Sequence, residues 1–209
     1  GLVVWAVKPQ TFKDAALACA PHTAGALHLS VAAGIRSDSM AGWLGTERIV
    51  RAMPNTPALV GQGMTGLFAR PGASAADRAQ VEAVVATTGA HVWLRQESDL
   101  DTVTALSGSG PAYVFYFLEA MREAGLQMGL DAATAQTLAI GTFVGASALA
   151  QAAEEPPEVL RERVTSKGGT TFATLSAMEQ AGIKPAFIAA MQAARQRAQE
   201  LGDAFGAQP

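Results

Sequence analysis

The chain changes texture once, and that change limits the folds open to it. Up to Leu94, short apolar runs alternate with stretches of helical spacing. From Glu97 onward no strand pattern recurs and the remainder reads as helices. The opening run Leu2-Val3-Val4-Trp5-Ala6-Val7 is continuously apolar, as expected of a strand buried on both faces. Lys8-Pro9 ends it, and Pro9 suits the first turn of a helix striped by Phe12, Ala16, Leu17 and Cys19. Residues 28–31 and 48–53 read as the second and third strands, on either side of a short helix at 37–44. Residues 64–70 read as an edge strand and 91–94 as the last one, with Ser74 and Asp77 capping the helix between them. Strands alternating with helices predict a parallel sheet with right-handed crossovers.

Ligands of such sheets bind beyond the carboxyl ends of the strands. Here those ends are Val7-Lys8-Pro9, Val31-Ala32-Ala33-Gly34 and Met53-Pro54-Asn55-Thr56-Pro57, turns whose small residues let a flat ligand come close. A dinucleotide fold of this kind opens with a strand, a glycine-rich turn and a helix. Gly61-Gln62-Gly63-Met64-Thr65-Gly66 has the spelling of that turn, but it precedes a strand-like run instead of opening a helix. The sequence therefore reads as starting inside the second half of the sheet. The half upstream would be on the order of 60 residues, at about 30 per overlapping βαβ unit. The expected fold class is α/β then all-α: the C-terminal part of a Rossmann-type parallel sheet over residues 1–96, and a helical domain over 97–209.

Within the helical part, residues 164–179 read VTSKGGTTFATLSAME. The hydroxyls of Thr165, Ser166, Thr170 and Thr171 surround the pair Gly168-Gly169, and an apolar stripe of Phe172, Leu175 and Met178 follows at helical spacing. A glycine pair lets backbone N–H groups approach a ligand, and a helix starting behind it adds unpaired donors and a positive dipole end. This makes a seat for a carboxylate or phosphate. The competing reading is an ordinary helix cap by one of the hydroxyls. Ser107-Gly108-Ser109-Gly110-Pro111 either lines a ligand or lets two backbones pack closely; the sequence leaves both open. Residues 132–153 carry no charge over 22 positions, with Asp131 as their cap. That length passes the crude test for a membrane span. The run is mostly Ala, Gly and Thr with Gln136 and Gln151 inside it, so a buried helix is expected, central to the domain or shared between subunits.

Composition excludes several classes. With 49% hydrophobic and 16% charged residues the chain has ample material for a core. A net charge of −3 argues against a nucleic-acid or anionic-membrane partner. Cys19 is the single cysteine, and His22, His28 and His91 lack metal-ligand spacing, so no metal site is expected. All three histidines read as surface or strand-end residues. The start shows no cationic leader with an apolar core, and a soluble cytoplasmic protein is the default expectation.

Four motifs occur in one order: Val7-Lys8-Pro9-Gln10, Met53-Pro54-Asn55-Thr56-Pro57, Leu106-Ser107-Gly108-Ser109-Gly110-Pro111-Ala112-Tyr113 and Thr165-Ser166-Lys167-Gly168-Gly169-Thr170-Thr171. Together they resemble the pyrroline-5-carboxylate reductases, over the whole chain, the last motif with Pro157 upstream and Met178-Glu179 downstream being the family's signature. The family's N-terminal half-sheet and its glycine-rich turn have no counterpart in this sequence. The resemblance implies hydride transfer from NADPH, or NADH, to the cyclic imine 1-pyrroline-5-carboxylate, giving L-proline in the last step of proline biosynthesis. It implies that Ala6, Val7, Lys8, Pro9, Val31, Ala32, Ala33 and Asn55 border the cofactor. It implies substrate contacts from Ser166, Gly169, Thr170 and Thr171, and from Glu97 and Arg163, and makes Thr171 the catalytic candidate, its hydroxyl at the ring nitrogen. It also implies a homodimer, or a higher oligomer, built through interleaved helical domains with the site between subunits. The alternative is a non-catalytic truncated form that keeps only the dimerising helices. A β-hydroxyacid dehydrogenase would need a catalytic lysine in the helical domain; Lys167 and Lys184 are the only lysines after Lys13, and neither lies on the long helix.

Overall fold

A computed structural model describes residues 1–206. In chain order it has β1 (Leu2–Trp5), α1 (Pro9–Cys19), β2 (Leu27–Ser30), α2 (Ser37–Leu44), β3 (Ile49–Met53), β4 (Gly63–Ala69), α3 (Ala75–Val85) and β5 (Gly89–Trp93). Only helices follow among the described residues: α4 (Asp99–Val103), a π-helical turn (Thr104–Gly108), α5 (Gly110–Gln127), α6 (Ala132–Ala152), α7 (Pro157–Arg163), α8 (Thr170–Gln180) and α9 (Ile183–Gly206). The chain divides into two compact units, residues 1–111 with those from 190 on, and residues 112–189. The strands end before the position at which the sequence changes texture.

In the first unit the five strands lie in the order β1-β2-β3-β4-β5. β1, β2 and β3 are parallel, as are β4 and β5. β4 runs antiparallel to β3, so the sheet is mixed, and β4 is interior where an edge strand was expected. The cause is the connection. Nine residues separate Met53 from Gly63, and a parallel crossover needs about a dozen or more. The 3-10 turn Thr56–Val60, closed by Gly61 in the left-handed region, instead reverses the chain.

The sheet is covered on both faces. Leu27, Leu29, Val50, Ala52 and Leu67 pack with Val81 and Val85 of α3, while Trp5, Ile35 and Ile49 pack with Phe12, Met40 and Leu44 of α1 and α2. Ser74 caps α3 in a capping box with Asp77, as the sequence indicated. Asp77 also takes two hydrogen bonds from Arg48, at 2.6 and 3.3 Å. Arg48 and the cap hold the Asp77 carboxyl down at about 2. β1 is only half-buried, with Val4 exposed, so the expectation of burial on both faces fails along this edge. His28 departs further from expectation. It is 1% exposed, in mid-strand, and its ring accepts a hydrogen bond from buried Trp5.

In the second unit Asp131 caps α6 through the N–H groups of Ala133 and Thr134. α6 buries only Ala135 and Ala139 within the chain, leaving Leu138, Ile140, Val144 and Leu149 exposed. The aromatic anchor of this unit is Phe187, whose ring meets Tyr113 and Phe117 edge-on at 5.6 Å each.

Candidate active site

The glycine pair works as a turn in front of α8. Gly168 takes φ +76°, a region that a side chain disfavours. Gly169 is extended and is the N-terminal cap of the helix. A Cβ on Gly169 would lie 2.7 Å from Ser166 Oγ, so the turn closes tightly only around glycine. The Gly169 N–H closes the turn on the Ser166 carbonyl at 3.0 Å, and the first helical bond is Ala173 N–H to the Gly169 carbonyl at 3.1 Å. The N–H groups of Thr170, Thr171 and Phe172 are left without a backbone partner.

No side chain caps α8. Thr165 turns away and donates to the Arg161 carbonyl at 2.6 Å, and Thr174 donates to the Thr170 carbonyl at 3.0 Å. The hydroxyls of Ser166, Thr170 and Thr171 make no such bond and remain available beside the free donors. Thr171 is half-buried, whereas Ser166 and Thr170 are exposed. The ordinary-cap reading therefore fails on its own terms. The helix start carries cap-competent side chains, yet none of them satisfies it. Three unpaired N–H groups at the positive end of an 11-residue helix favour an anionic group there.

Arg163, at the end of α7, is exposed and paired with Glu155. Glu97 belongs to the first unit, and its carboxylate is fully engaged. Oε1 takes hydrogen bonds from Arg51 Nη1 at 2.6 Å and the Ser37 N–H at 2.6 Å, and Oε2 takes one from Ser37 Oγ at 2.5 Å. Glu97 thus fastens β3 to the start of α2.

The three strand-end turns all belong to the first unit. Ala6, Lys8 and Ala33 are exposed, Val7, Pro9, Val31 and Asn55 are half-buried, and Ala32 is buried. Asn55 is committed on both sides of its amide. Nδ2 donates to the Ser107 carbonyl at 3.2 Å, and Oδ1 accepts from the Met64 N–H at 2.9 Å. In the Ser-Gly-Ser-Gly stretch Gly108 packs closely on a side chain, whereas Gly110 has open space around it. A Cβ on Gly108 would lie 2.7 Å from Met53 Cε, and the Ser107 hydroxyl is buried without a partner among the described residues. The sequence reading missed the Asn55–Ser107 tie, the Glu97 lock and the Trp5–His28 pair, each of which joins residues 20 or more positions apart.

Residues 97–201 match the family model described as pyrroline-5-carboxylate reductase dimerisation, half of the chain. The pyrroline-5-carboxylate reductase of Pseudomonas aeruginosa is 43% identical over 207 residues, covering 98% of this chain and 76% of the relative. The chain belongs to the pyrroline-5-carboxylate reductase family. The enzyme of that name from Pisum sativum is 38% identical, covering 96% of this chain and 73% of its own length. Among solved structures, a family member from Coxiella burnetii superposes with a TM-score of 0.91 at 38% identity, covering 96% of this chain and 75% of that one. A member from Plasmodium falciparum, solved with NADP bound, superposes at 0.87 and 29% identity, covering 95% and 80%. The present chain thus spans about three quarters of the length of these family members.

Proposed function

We propose that the chain carries the family's reaction, reduction of 1-pyrroline-5-carboxylate to L-proline, with α8 as the substrate seat. The observation that carries this is the uncapped helix start: three free N–H groups and three uncommitted hydroxyls behind a glycine turn. The substrate carboxylate is the anion they accept, through the backbone N–H groups of Thr170, Thr171 and Phe172 and the hydroxyl of Ser166, with Gly169 keeping the approach open. Thr171, one residue inside the helix and half-buried, offers its hydroxyl to the ring nitrogen. Arg163 stays beside the seat on α7, paired with Glu155. Glu97 acts as a positioning residue through Arg51 and Ser37.

NADPH, or NADH, fits the strand-end turns. Small exposed side chains at Ala6 and Ala33 leave a flat surface, and Lys8 stands there as a cation. When bound, the reduced nicotinamide supplies the hydride for the imine carbon. The protein's part is placement. Asn55 braces the turn after β3 through Ser107 and Met64, and Pro9 starts α1 directly behind the turn after β1. A protonated imine is a strong electrophile, so positioning and electrostatics supply most of the rate.

The exposed apolar face of α6 supports a homodimer. α6 is long and apolar enough to cross a membrane by length and composition. Its Ala-, Gly- and Thr-rich face, with Gln136 and Gln151, suits a second copy of this chain better than lipid. The proposed protein is soluble and cytoplasmic. The test is NADPH oxidation by the complete protein in the presence of 1-pyrroline-5-carboxylate, with proline identified as product. A purified, folded dimer without that activity would leave the non-catalytic reading standing.

A further inference from the structure

Trp5 closes β1 and His28 lies in the middle of β2, and the two are 4% and 1% exposed. The Trp5 indole N–H donates to His28 Nδ1 at 3.0 Å, and the rings stack with centroids 5.9 Å apart at 18°. An indole nitrogen only donates. His28 Nδ1 must therefore be bare, and the imidazole proton sits on Nε2. This is a neutral histidine whose tautomer is fixed by its neighbours.

The surroundings oppose a second proton. Burial pushes the His28 pKa below its ordinary value; the Thr23 backbone opposes this, and the positive charge of Arg48 adds a smaller push downward. Arg48, on the β3 side, is itself held by Asp77 and the Gly25 carbonyl. From α1 comes Phe12, an apolar ring 5.1 Å from that of Trp5, and β1 pairs Val3 opposite His28. A proton on Nδ1 would set two donors face to face across 3.0 Å. One of the two rings would have to move.

Trp5 also anchors the start of the turn after β1. Its carbonyl accepts from the Val31 N–H at 3.1 Å, and residues 6–9 leave the sheet from there. We infer that neutral His28 is a positioning residue for the turn at residues 6–9, acting through Trp5, and that proton uptake by His28 releases this turn and weakens cofactor binding. The inference rests on the proposed bordering of the cofactor by Ala6, Val7, Lys8 and Pro9. The direction is fixed by linkage. The folded-state pKa lies below that of the unfolded chain, so the contribution is complete above the unfolded value near 6.5 and is lost as pH falls through the lowered one.

The test uses the complete protein with Trp5 as its only tryptophan. Emission of Trp5 is recorded from pH 8 to 4, with NADPH affinity by direct binding and KM for NADPH measured over the same range. The expected result is a Trp5 transition with its midpoint below 6.5, tracked by NADPH affinity. Where binding requires the neutral form, affinity falls about tenfold by one pH unit below that midpoint. His28→Gln keeps an acceptor for the indole and does not titrate. It should abolish the emission transition and flatten the affinity profile while retaining binding at pH 8. The parent's own titration needs no substitution at position 28, so a poorly folding variant leaves the test intact. A Trp5 transition that survives in His28→Gln overturns the inference, as does an NADPH affinity that ignores it. A shifted melting temperature with an unchanged pH profile also overturns it, because that is the pattern of a purely structural histidine. Failure of the functional reading looks different: the emission transition is intact, but neutral-pH protein does not reduce 1-pyrroline-5-carboxylate.

Discussion

Replacing Thr171 by Val removes one hydroxyl from the seat and keeps its shape. Among the described residues that hydroxyl makes no hydrogen bond, and α8 has no side-chain cap for the change to destroy. The backbone donors of Thr170, Thr171 and Phe172 stay where they are. Threonine and valine are both β-branched and close in helix propensity, so the fold should hardly register the exchange. The loss then falls on the ligand. A hydrogen bond to a charged or polarised partner is worth about 1.5–3 kcal/mol, which converts to a fall of roughly 10- to 150-fold in kcat/KM. If the bond strengthens as hydride arrives, kcat falls; if it is uniform, KM alone rises. The assay is steady-state kinetics with varied 1-pyrroline-5-carboxylate on the complete protein, alongside a melting curve. A helix cap at Thr171 would show the reverse pattern, with about 0.5–2 kcal/mol of stability lost and unaltered kinetics per folded molecule. Wild-type kcat/KM with a lowered Tm would refute the seat.

Three further changes test the same geometry. Gly169→Ala places a Cβ 2.7 Å from Ser166 Oγ; it should displace that hydroxyl and raise KM for the imine, with a much smaller effect on KM for NADPH. Gly145→Leu meets nothing within 4 Å in its own chain, so it should leave the protomer folded and block its association, read by light scattering and circular dichroism together. Asp77→Asn should lower Tm at neutral pH. The Asp77 carboxyl is held at about 2, below the unfolded 3.8, so its stabilisation is complete above 3.8 and lost towards pH 2. The variant should lack that acid-sensitive portion in melts taken across the window.

Much of the first unit was legible in local signals. Strand and helix limits fell within a residue or two because Pro9 and the Ser74–Asp77 pair are chemical stops that act on their own neighbours, as Asp131 is in the second unit. The direction of β4 was not read, because periodicity identifies a strand without its partner. The signal was present in the length of the 54–62 connection, which is too short to cross over. His28 was misjudged for a related reason. A strand taken to begin at His28 puts the ring at its mouth, whereas the strand begins at Leu27 and pairs His28 with Val3 beside Trp5. The partners of Glu97 lie 46 and 60 positions away, and no spacing rule reaches that far.

The stretch proposed as the substrate seat stands out in the sequence for the opposite reason: there the local rules are broken. In residues 164–174 five side chains carry hydroxyls, and each is suited to local bonding with a helix backbone. Two of them do bond locally, Thr165 to the Arg161 carbonyl and Thr174 to the Thr170 carbonyl. Those bonds satisfy acceptors on α7 and α8 and leave the donors at the start of α8 as they were. The cap position itself is Gly169, which has no side chain to turn onto those donors. Places where a sequence departs from local consistency without compensation within the chain are where function is expected. Glu97 shows the contrast. Its carboxylate is satisfied on both oxygens within its own unit, which argues for support instead of contact. Commitment of the polar atoms, more than resemblance of the motif, separates the residues proposed to hold substrate from those that hold the fold.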